Sequence, residues 1–391
     1  MTVRTRPDRL RIVVLGFIVR GPLGGIVWKD LHYLMGLLRL GHDVYFLEDS
    51  DDYVSCYDPA RGQFTTDPAY GLAFADRVLG GMGMAERWAY HDAHTGTWRG
   101  PCAERMIDIC AVADVVLNLA GVNPLRPWLR EVPTRVLVDE DPVFTQIRHL
   151  TDSHARARAA EHTAFFSFGE NVGHPSSRIP DDGFPWRPTR QPVVLDAVPA
   201  TPGPRDGRFT TIMLWESYPS LEYAGQRYGL KSQSFGDYFP LPHRTGERLE
   251  VAVGGPNVQR EELMRHGWHV RDSQPPTRDL STFERYVRES KAEFSVAKHG
   301  YVAGHTGWFS ERSACYLASG RPVVVQDTGF SRWMDVGRGV LAFQTIEEAL
   351  RGVAEVDADY EAQCRAGRGM AETYFDSRRV LPALLEAAVR R

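Results

Sequence analysis

The sequence predicts an α/β protein with two Rossmann-like, doubly wound domains. Its 391 residues suffice for two domains of ordinary size. In both halves, short apolar runs alternate with amphipathic helical stretches, a pattern typical of parallel sheets covered by helices. Between the halves, residues 197–208 contain three prolines and two glycines. This composition predicts a linker.

In the first half, residues 11–17 form an apolar run that predicts a buried parallel strand. The turn GPLGG at 21–25, a helix with apolar residues at helical spacing and a strand over 42–47 complete a βαβ unit. Further strands are predicted at 114–120, 135–138, 164–168 and 192–195. We predict a first domain over residues 1–196, with an aromatic, polar insertion around 88–98.

The alternation restarts after the linker. Strands are predicted at 210–215, 249–253, 268–270, 293–297 and 322–326. Helices are predicted at 257–266, 279–290, 346–355 and 357–374, with another that begins near 308. We predict a second domain over residues 209–375, and a last helix over 376–391 that packs back on the first domain.

The composition is that of a globular protein, with 43% hydrophobic residues, 25% charged residues and a net charge of −4. Such a charge gives no support for general nucleic-acid binding. No apolar run reaches the roughly 18 residues of a membrane-spanning helix. The five cysteines are scattered and form no CxxC pair, which favours a reducing cytoplasm over a disulfide framework or zinc site. We therefore expect neither a nucleic-acid nor a membrane partner.

Residues 298–329 are the most informative stretch, because they run from a strand through a glycine turn into a helix and the next strand. Exposed N–H groups at a helix start bind phosphate, and the helix dipole adds to the attraction. Arg312 offers a fork of donors suited to a diphosphate, and Glu311 can accept from a ribose diol. The hydroxyl groups there belong to Thr306, Ser310 and Ser313. A well-capped βαβ connection without a ligand would give the same pattern.

This stretch resembles the donor-binding segment of GT-B glycosyltransferases. The matching residues are His305, Gly307, Trp308, Ser310 and Glu311, then Gly320, Arg321 and Pro322 before the next strand. In such enzymes the end of that strand, here Gln326 to Gly329, contacts the donor sugar. The glutamates eight residues apart of the retaining families are absent, since Gly307 and Cys315 occupy those places. Inverting and retaining outcomes both stay open.

The resemblance implies a GT-B fold whose two domains face a cleft. It also implies a nucleoside-diphosphate sugar as donor substrate, with UDP-sugar the first choice, and neither cofactor nor metal. The implied donor-binding residues are Gly24, Gly25, Arg227, Lys231, Lys298, His305, Thr306, Gly307, Phe309, Ser310, Glu311, Arg312, Ser313, Asp327, Thr328 and Gly329. The basic side chains would neutralise the leaving diphosphate. Tight turns for the glycines and solvated surface positions for the lysines are the structural alternatives.

Asp139, Glu140 and Asp141 follow an apolar strand, and the carboxyl end of a strand lies at the cleft of a doubly wound sheet. We interpret them as candidates for a general base or an acceptor contact. As a DxD triplet they are weak evidence, because the sequence contains three such triplets. The other two begin at Asp49 and Asp357.

The aromatic insertion and the long loop at 167–190 are the expected acceptor-binding regions. The candidates are Trp88, His91 and His94 in the first, with Trp98 nearby, and Glu170, Asn171 and His174 in the second. Core packing would also explain the aromatic residues. The expected acceptor is a soluble small molecule, as in antibiotic or other secondary metabolism.

Two alternatives share this architecture: a UDP-sugar 2-epimerase and a non-catalytic nucleotide-sugar sensor. Other enzyme classes have less support. The turn at 21–25 is not the dinucleotide fingerprint GxGxxG, and neither GxSxG nor HExxH occurs. The sequence leaves the oligomeric state open.

Overall fold

The computed structural model describes residues 9–246 and 248–390. The chain forms two compact units. Unit one comprises Met1–Glu140, Asp152–Phe166 and Leu381–Arg391, and unit two comprises Asp141–Thr151 and Ser167–Val380. The predicted boundaries at 196, 208 and 375 stay predictions.

The strands β1 to β18 are, in chain order, Arg11–Leu15, Asp43–Asp49, Cys56–Asp58, Gln63–Thr65, Trp88–Asp92, Thr97–Arg99, Val115–Leu119, Thr134–Asp139, Ala164–Ser167, Trp186–Pro188, Phe209–Leu214, Leu221–Tyr223, Gln226–Tyr228, Leu249–Gly254, His269–Asp272, Ala292–Ser295, Val323–Gln326 and Val340–Phe343. The helices α1 to α16 are Gly24–Arg39, Ala69–Gly80, Met106–Ala111, Pro127–Arg130, Phe144–Thr151, Ser153–Ala160, Lys231–Ser234, Leu241–Thr245, Arg260–Arg265, Gln274–Thr277, Leu280–Glu289, His299–Ala303, Glu311–Ala318, Ile346–Ala358, Tyr360–Tyr374 and Ser377–Val389. None of these helices has both the length and the apolar character needed to cross a bilayer.

Unit one contains a sheet with the strand order β9-β8-β7-β1-β2-β5-β6. The pairs β1–β2, β2–β5, β1–β7 and β7–β8 are parallel. The chain builds outward from β1 to β5 on one side, then returns to β7 and builds outward on the other. This is the doubly wound order of a Rossmann domain, and its switch point lies between β1 and β7.

Unit two repeats this order in its sheet β15-β14-β11-β16-β17-β18, in which all five neighbouring pairs are parallel. Its switch point lies between β11 and β16. The strands are apolar and buried, and Phe209, Leu249 and Phe294 belong to the core under them. Both units are therefore doubly wound, as predicted.

Two local predictions need correction. The stretch around 88–98 is the hairpin β5–β6, which extends the sheet of unit one. Residues 192–195 form no strand beyond one isolated bridge from Val193 to Asp376. Pro192 has no N–H to donate to a ladder, which limits pairing there.

The predicted linker segment is held by Arg321, whose side chain is fully buried. Its guanidinium donates to the carbonyl oxygens of Thr201 (2.7 Å), Pro202 (3.3 Å) and Arg288 (2.6 Å). Residues 201–202 are therefore fixed on unit two.

Candidate functional site

Helix α13 begins beside the switch point of unit two, where Ser310 caps it by accepting from the backbone N–H of Arg312 at 3.2 Å. In the part of the chain that the structure describes, the N–H groups of Phe309, Ser310 and Glu311 donate to no protein acceptor. These groups precede the first intrahelical bond, so the helix itself offers them no acceptor. Such a helix start is suited to an anion.

The turn before this helix requires unusual backbone angles. His305 has φ 45° and Gly307 has φ 73°. The N–H of Gly307 donates to the carbonyl of Thr328 at 2.9 Å, and the Thr328 hydroxyl donates to the carbonyl of Trp308 at 2.5 Å. The predicted donor turns at 305–308 and 327–329 therefore lie side by side.

Asn171, which is 1% exposed, fastens these two turns together. Its Nδ2 donates to the carbonyls of His305 (3.1 Å) and Gly329 (3.0 Å), and its backbone N–H donates to that of Thr306 (3.1 Å). Its Oδ1 accepts from Arg332 Nε at 3.1 Å. A Cβ on Gly307 or Gly329 would come within 2.8 Å of the Asn171 side chain. A residue predicted to bind the acceptor thus shapes the segment predicted to bind the donor.

Arg312 points into the sheet of unit two. Its Nε donates to Glu293 at 2.6 Å, Nη1 to the carbonyl of Ile212 at 2.7 Å and Nη2 to Ser295 at 2.7 Å. Burial lowers the pKa of Arg312, but the Glu293 carboxylate more than offsets this and raises it. The fork of donors that the sequence suggested for a diphosphate is therefore engaged by protein groups.

Lys231, at the start of α7, is the contrasting cation. Among the described residues its ammonium makes no hydrogen bond or ion pair. Burial lowers the pKa of Lys231 well below its ordinary value, and the positive charges of Arg312 and Lys298 add to this, while Glu311 opposes it. A negative ligand at this place would relieve the repulsion between the cations.

Lys298 donates to Asp141 Oδ1 at 2.8 Å and to the Tyr218 hydroxyl at 2.7 Å. Asp141 also accepts from Tyr218 (2.5 Å) and Tyr301 (2.6 Å). Burial raises the pKa of Asp141, but the charges of Lys298 and Arg148 lower it by more. An ionised carboxylate with this many donors is a weak proton acceptor, so its geometry favours a role in holding Lys298.

A cavity of about 520 Å³ lies next to this cluster. It is lined by Glu216, Tyr218, Pro219, Ser220, Glu222, Arg227 and Leu230. Arg227 is exposed there, on strand β13. Glu216, Tyr218, Pro219 and Ser220 come from the loop after β11, so the cavity opens at the carboxyl end of the sheet, the usual ligand edge of such a fold.

The remaining donor candidates of unit two have local roles. Phe309 stacks on Phe375, with ring centroids 5.3 Å apart. Asp327 accepts from the N–H of Gly329 at 2.8 Å and from the Ser331 hydroxyl at 2.6 Å. Ser313 is buried on the first turn of α13.

Asp139 and Glu140 belong to unit one, unlike Asp141. Asp139 is the buried last residue of β8. Glu140 accepts from the ammonium of Lys29 at 2.7 Å. Each of the three carboxylates therefore has its own protein surroundings.

The loop after β1 in unit one already holds an anion of the protein. Glu48 accepts from the backbone N–H groups of Ile18, Val19 and Arg20, each at 2.7 Å. The Arg20 guanidinium also contacts it, at 3.3 Å, and both side chains are fully buried. Burial raises the pKa of Glu48, and Arg20 with the three N–H groups opposes this. Gly24 and Gly25 lie beyond this loop, at the start of α1.

The hairpin β5–β6 carries the first group of acceptor candidates. Trp88 is buried and His94 is exposed at the turn. His91 contacts Asp49 at 2.7 Å and lies against the ring of Trp98. The sequence contained one signal for this contact, since Asp49 begins a DxD triplet two residues after the predicted strand 42–47.

The second group of acceptor candidates lies in unit two, so the structure places three in each unit. Glu170 pairs with Arg190, whose guanidinium stacks over Trp333 at 4.3 Å. His174 bonds to the Ser176 hydroxyl at 2.7 Å. Within residues 9–246 and 248–390, no group of three His, Cys, Asp or Glu side chains could hold a metal ion.

No protein-family model matches the chain, and no curated protein matches it in sequence. Solved structures do. An alpha-glucosyltransferase in complex with UDP-glucose and abasic DNA is 10% identical, with TM-score 0.59 over 98% of this chain and 100% of that one. AviGT4, a glycosyltransferase involved in avilamycin A biosynthesis, is 16% identical, with TM-score 0.54 over 97% of both chains. Anabaena HepE in complex with UDP-glucose is 9% identical, with TM-score 0.56 over 97% of this chain and 99% of that one. The fold is GT-B.

This finding confirms the predicted GT-B fold with two Rossmann-like domains. It also corrects one prediction. Excluding a nucleic-acid partner was wrong, because several solved structures of this fold show an alpha-glucosyltransferase in complex with DNA. The net charge of −4 is a sum over the whole chain. It does not describe the local charge of a binding face.

Proposed function

We propose that the chain is a glycosyltransferase that moves a sugar from a UDP-sugar to an acceptor hydroxyl. The observation that carries the proposal is the start of α13 in unit two. Its first N–H groups have no protein acceptor, and the unpaired ammonium of Lys231 is close enough to interact with charged residues of this helix. Both are suited to a diphosphate, which is the leaving group of such a donor.

The chemistry follows from charge. When the bond between the sugar and the diphosphate breaks, negative charge grows on the leaving oxygen. Lys231 and the α13 N–H groups would therefore stabilise the transition state, in which this charge develops, more than the ground state. Glu311, at the first position of α13, makes no hydrogen bond to a described residue and is our candidate partner for the ribose hydroxyls.

The acceptor is proposed to be a soluble small molecule. The aromatic surroundings of His91 support this, as does the likeness to AviGT4, which is involved in avilamycin A biosynthesis. DNA belongs in the acceptor panel on equal terms, since structural neighbours are in complex with it. We further propose a cytoplasmic location, which the five free cysteines support.

The test compares UDP with ADP and GDP in a thermal shift assay, followed by UDP-sugar turnover with the acceptor panel. We expect UDP to raise the melting temperature, because a ligand that binds only the folded state stabilises it. Lys231→Met should weaken UDP binding at least about tenfold, or 1.4 kcal/mol, while Lys29→Met in unit one should not. If no nucleoside diphosphate shifts the melting curve, or if both variants bind alike, the donor site is not here.

A further inference from the structure

The turn at 305–308 in unit two directs its carbonyl groups at the protein. Each of its four carbonyl oxygens accepts a hydrogen bond from another described residue. The donors are Nδ2 of Asn171 for His305 (3.1 Å), the backbone N–H of Asn171 for Thr306 (3.1 Å), Nε1 of Trp333 for Gly307 (2.9 Å) and the hydroxyl of Thr328 for Trp308 (2.5 Å). The orientation of this turn is therefore fixed by side chains that come from outside it.

Asn171 has no hydrogen left to donate to a substrate. Its Nδ2 donates to the carbonyls of His305 and Gly329, which uses both amide hydrogens, and its backbone N–H donates to Thr306. Arg332 donates from Nε to Oδ1 of Asn171 at 3.1 Å, which fixes the direction of the amide. Asn171 is also 1% exposed. These contacts suit it to shape the turn rather than to bind an acceptor.

Holding these carbonyl groups also sets the direction of the N–H groups at the start of α13. A peptide bond is planar and trans, so the N–H of one residue points opposite to the C=O of the residue before it. Because Thr328 holds the C=O of Trp308, the N–H of Phe309 is held pointing away from Thr328. That N–H and those of Ser310 and Glu311 donate to no described acceptor. The turn keeps its oxygens with the protein and leaves its N–H groups for an anion.

The direction of each peptide matters because a carbonyl oxygen carries partial negative charge. If the peptide between Trp308 and Phe309 turned over, an oxygen would face the diphosphate in place of an N–H, and attraction would become repulsion. The Thr328 hydroxyl opposes that change directly. Asn171 fixes the preceding part of the turn, where His305 has φ 45°, an angle that a residue other than glycine keeps only with support from its surroundings.

We propose that Asn171 and Thr328 are positioning residues of the donor site, which hold the turn at 305–308 so that the diphosphate meets N–H groups and no carbonyl oxygen. The inference rests on the proposed function. Both residues act through the turn, and all the groups concerned belong to unit two. Thr328, which the resemblance implied as a donor contact, gives its single hydroxyl hydrogen to Trp308.

The experiment measures the Kd of UDP by calorimetry and the stability of each variant by urea denaturation. Thr328→Val keeps the shape of the side chain without its hydroxyl and should raise the Kd about tenfold, the upper range for one hydrogen bond. Thr328→Ser keeps the hydroxyl and should restore most of the affinity. Asn171→Leu removes three side-chain bonds at similar volume and should raise the Kd about tenfold or more. Asn171→Ala takes its place should it not fold.

The control is Leu263→Val, which removes one methylene from the core of unit two. Leu263 lies on α9, which precedes β15 at one edge of the sheet, whereas Thr328 follows β17 near the other edge. We expect this variant to lose stability without a change in the Kd of UDP. A residue that only stabilises the fold would behave like Leu263.

Folded Thr328→Val and Asn171→Leu proteins that bind UDP within twofold of wild type overturn the inference. So does a Leu263→Val protein that loses as much affinity as they do, because lost stability alone would then explain the effect. Thr328→Ser binding as weakly as Thr328→Val overturns it too. Each of these results leaves the proposed function standing. Wild-type protein that binds no UDP overturns the proposed function, and this inference with it.

Discussion

The two units share one strand order but differ at their switch points. In unit one a carboxylate of the protein binds the hydrogen-bond donors there, and in unit two no carboxylate of the described residues binds the N–H groups at the start of α13. In unit one, the loop after β1 directs three N–H groups and Arg20 at Glu48, an anion that the chain supplies itself. In unit two, the start of α13 and Lys231 have no such carboxylate bound to them. A Rossmann strand order therefore does not decide whether the hydrogen-bond donors at a switch point are already bound by the protein. The side chain that reaches the loop decides it.

Two cations of unit two, Arg312 and Lys231, differ in the same respect. Arg312 is bound by Glu293, Ser295 and a carbonyl, while Lys231 is not paired. We therefore expect Arg312 to stabilise the fold, and we propose that Lys231 binds the diphosphate. Three measurements test this contrast, from the largest expected effect to the smallest.

Replacing Glu48 should have the largest effect. Glu48→Met leaves Arg20 and three N–H groups buried without their acceptor, and we expect a loss of about 4 kcal/mol in the free energy of unfolding. Adding Arg20→Met should not restore it, because the backbone donors remain. Urea denaturation measures both, with the exposed Glu347→Met as control. Full recovery in the double variant would show that the N–H groups contribute little.

The pair in unit two should behave differently. Arg312→Met leaves the buried Glu293 unpaired, with an expected loss of about 3 kcal/mol. Adding Glu293→Met should recover at least half, since here most of the cost is a lone buried charge. Denaturation of the two variants measures this. A double variant as unstable as the single one would mean that the bonds to Ile212 and Ser295 dominate.

The smallest effect is a pH dependence that arises from Lys231. The pKa of Lys231 is lower in the folded protein than in the unfolded chain. At pH values between these two pKa values, the lysine is therefore protonated more in the unfolded chain than in the folded protein. Stability from this group therefore increases as pH rises through that window. UDP prefers the charged lysine, so its affinity should fall as pH rises, by about tenfold or more by pH 10. Calorimetry on wild type and Lys231→Met should show this slope only in the wild type, since the ionisation of UDP itself is common to both.

The sequence alone determined the alternation of strands and helices and the two doubly wound units. These follow from local patterns, because apolar periodicity involves residues within a few positions of each other. The glycine at 307 is of the same kind, since a φ of 73° is a property of one residue.

Only the tertiary structure decided which polar side chains are bound by other groups of the protein. Arg312 finds Ile212 across 100 residues, Asn171 finds His305 across 134, and His91 finds Asp49 across 42. The sequence shows that these groups can bond but not to which partner, because the partner depends on how distant strands register. That is why Arg312 was predicted to bind a ligand and is bound by the sheet, and why the contact between His91 and Asp49 was not predicted. Whether a charged side chain has a partner within the protein depends on tertiary packing. Local sequence patterns carry no information on that packing.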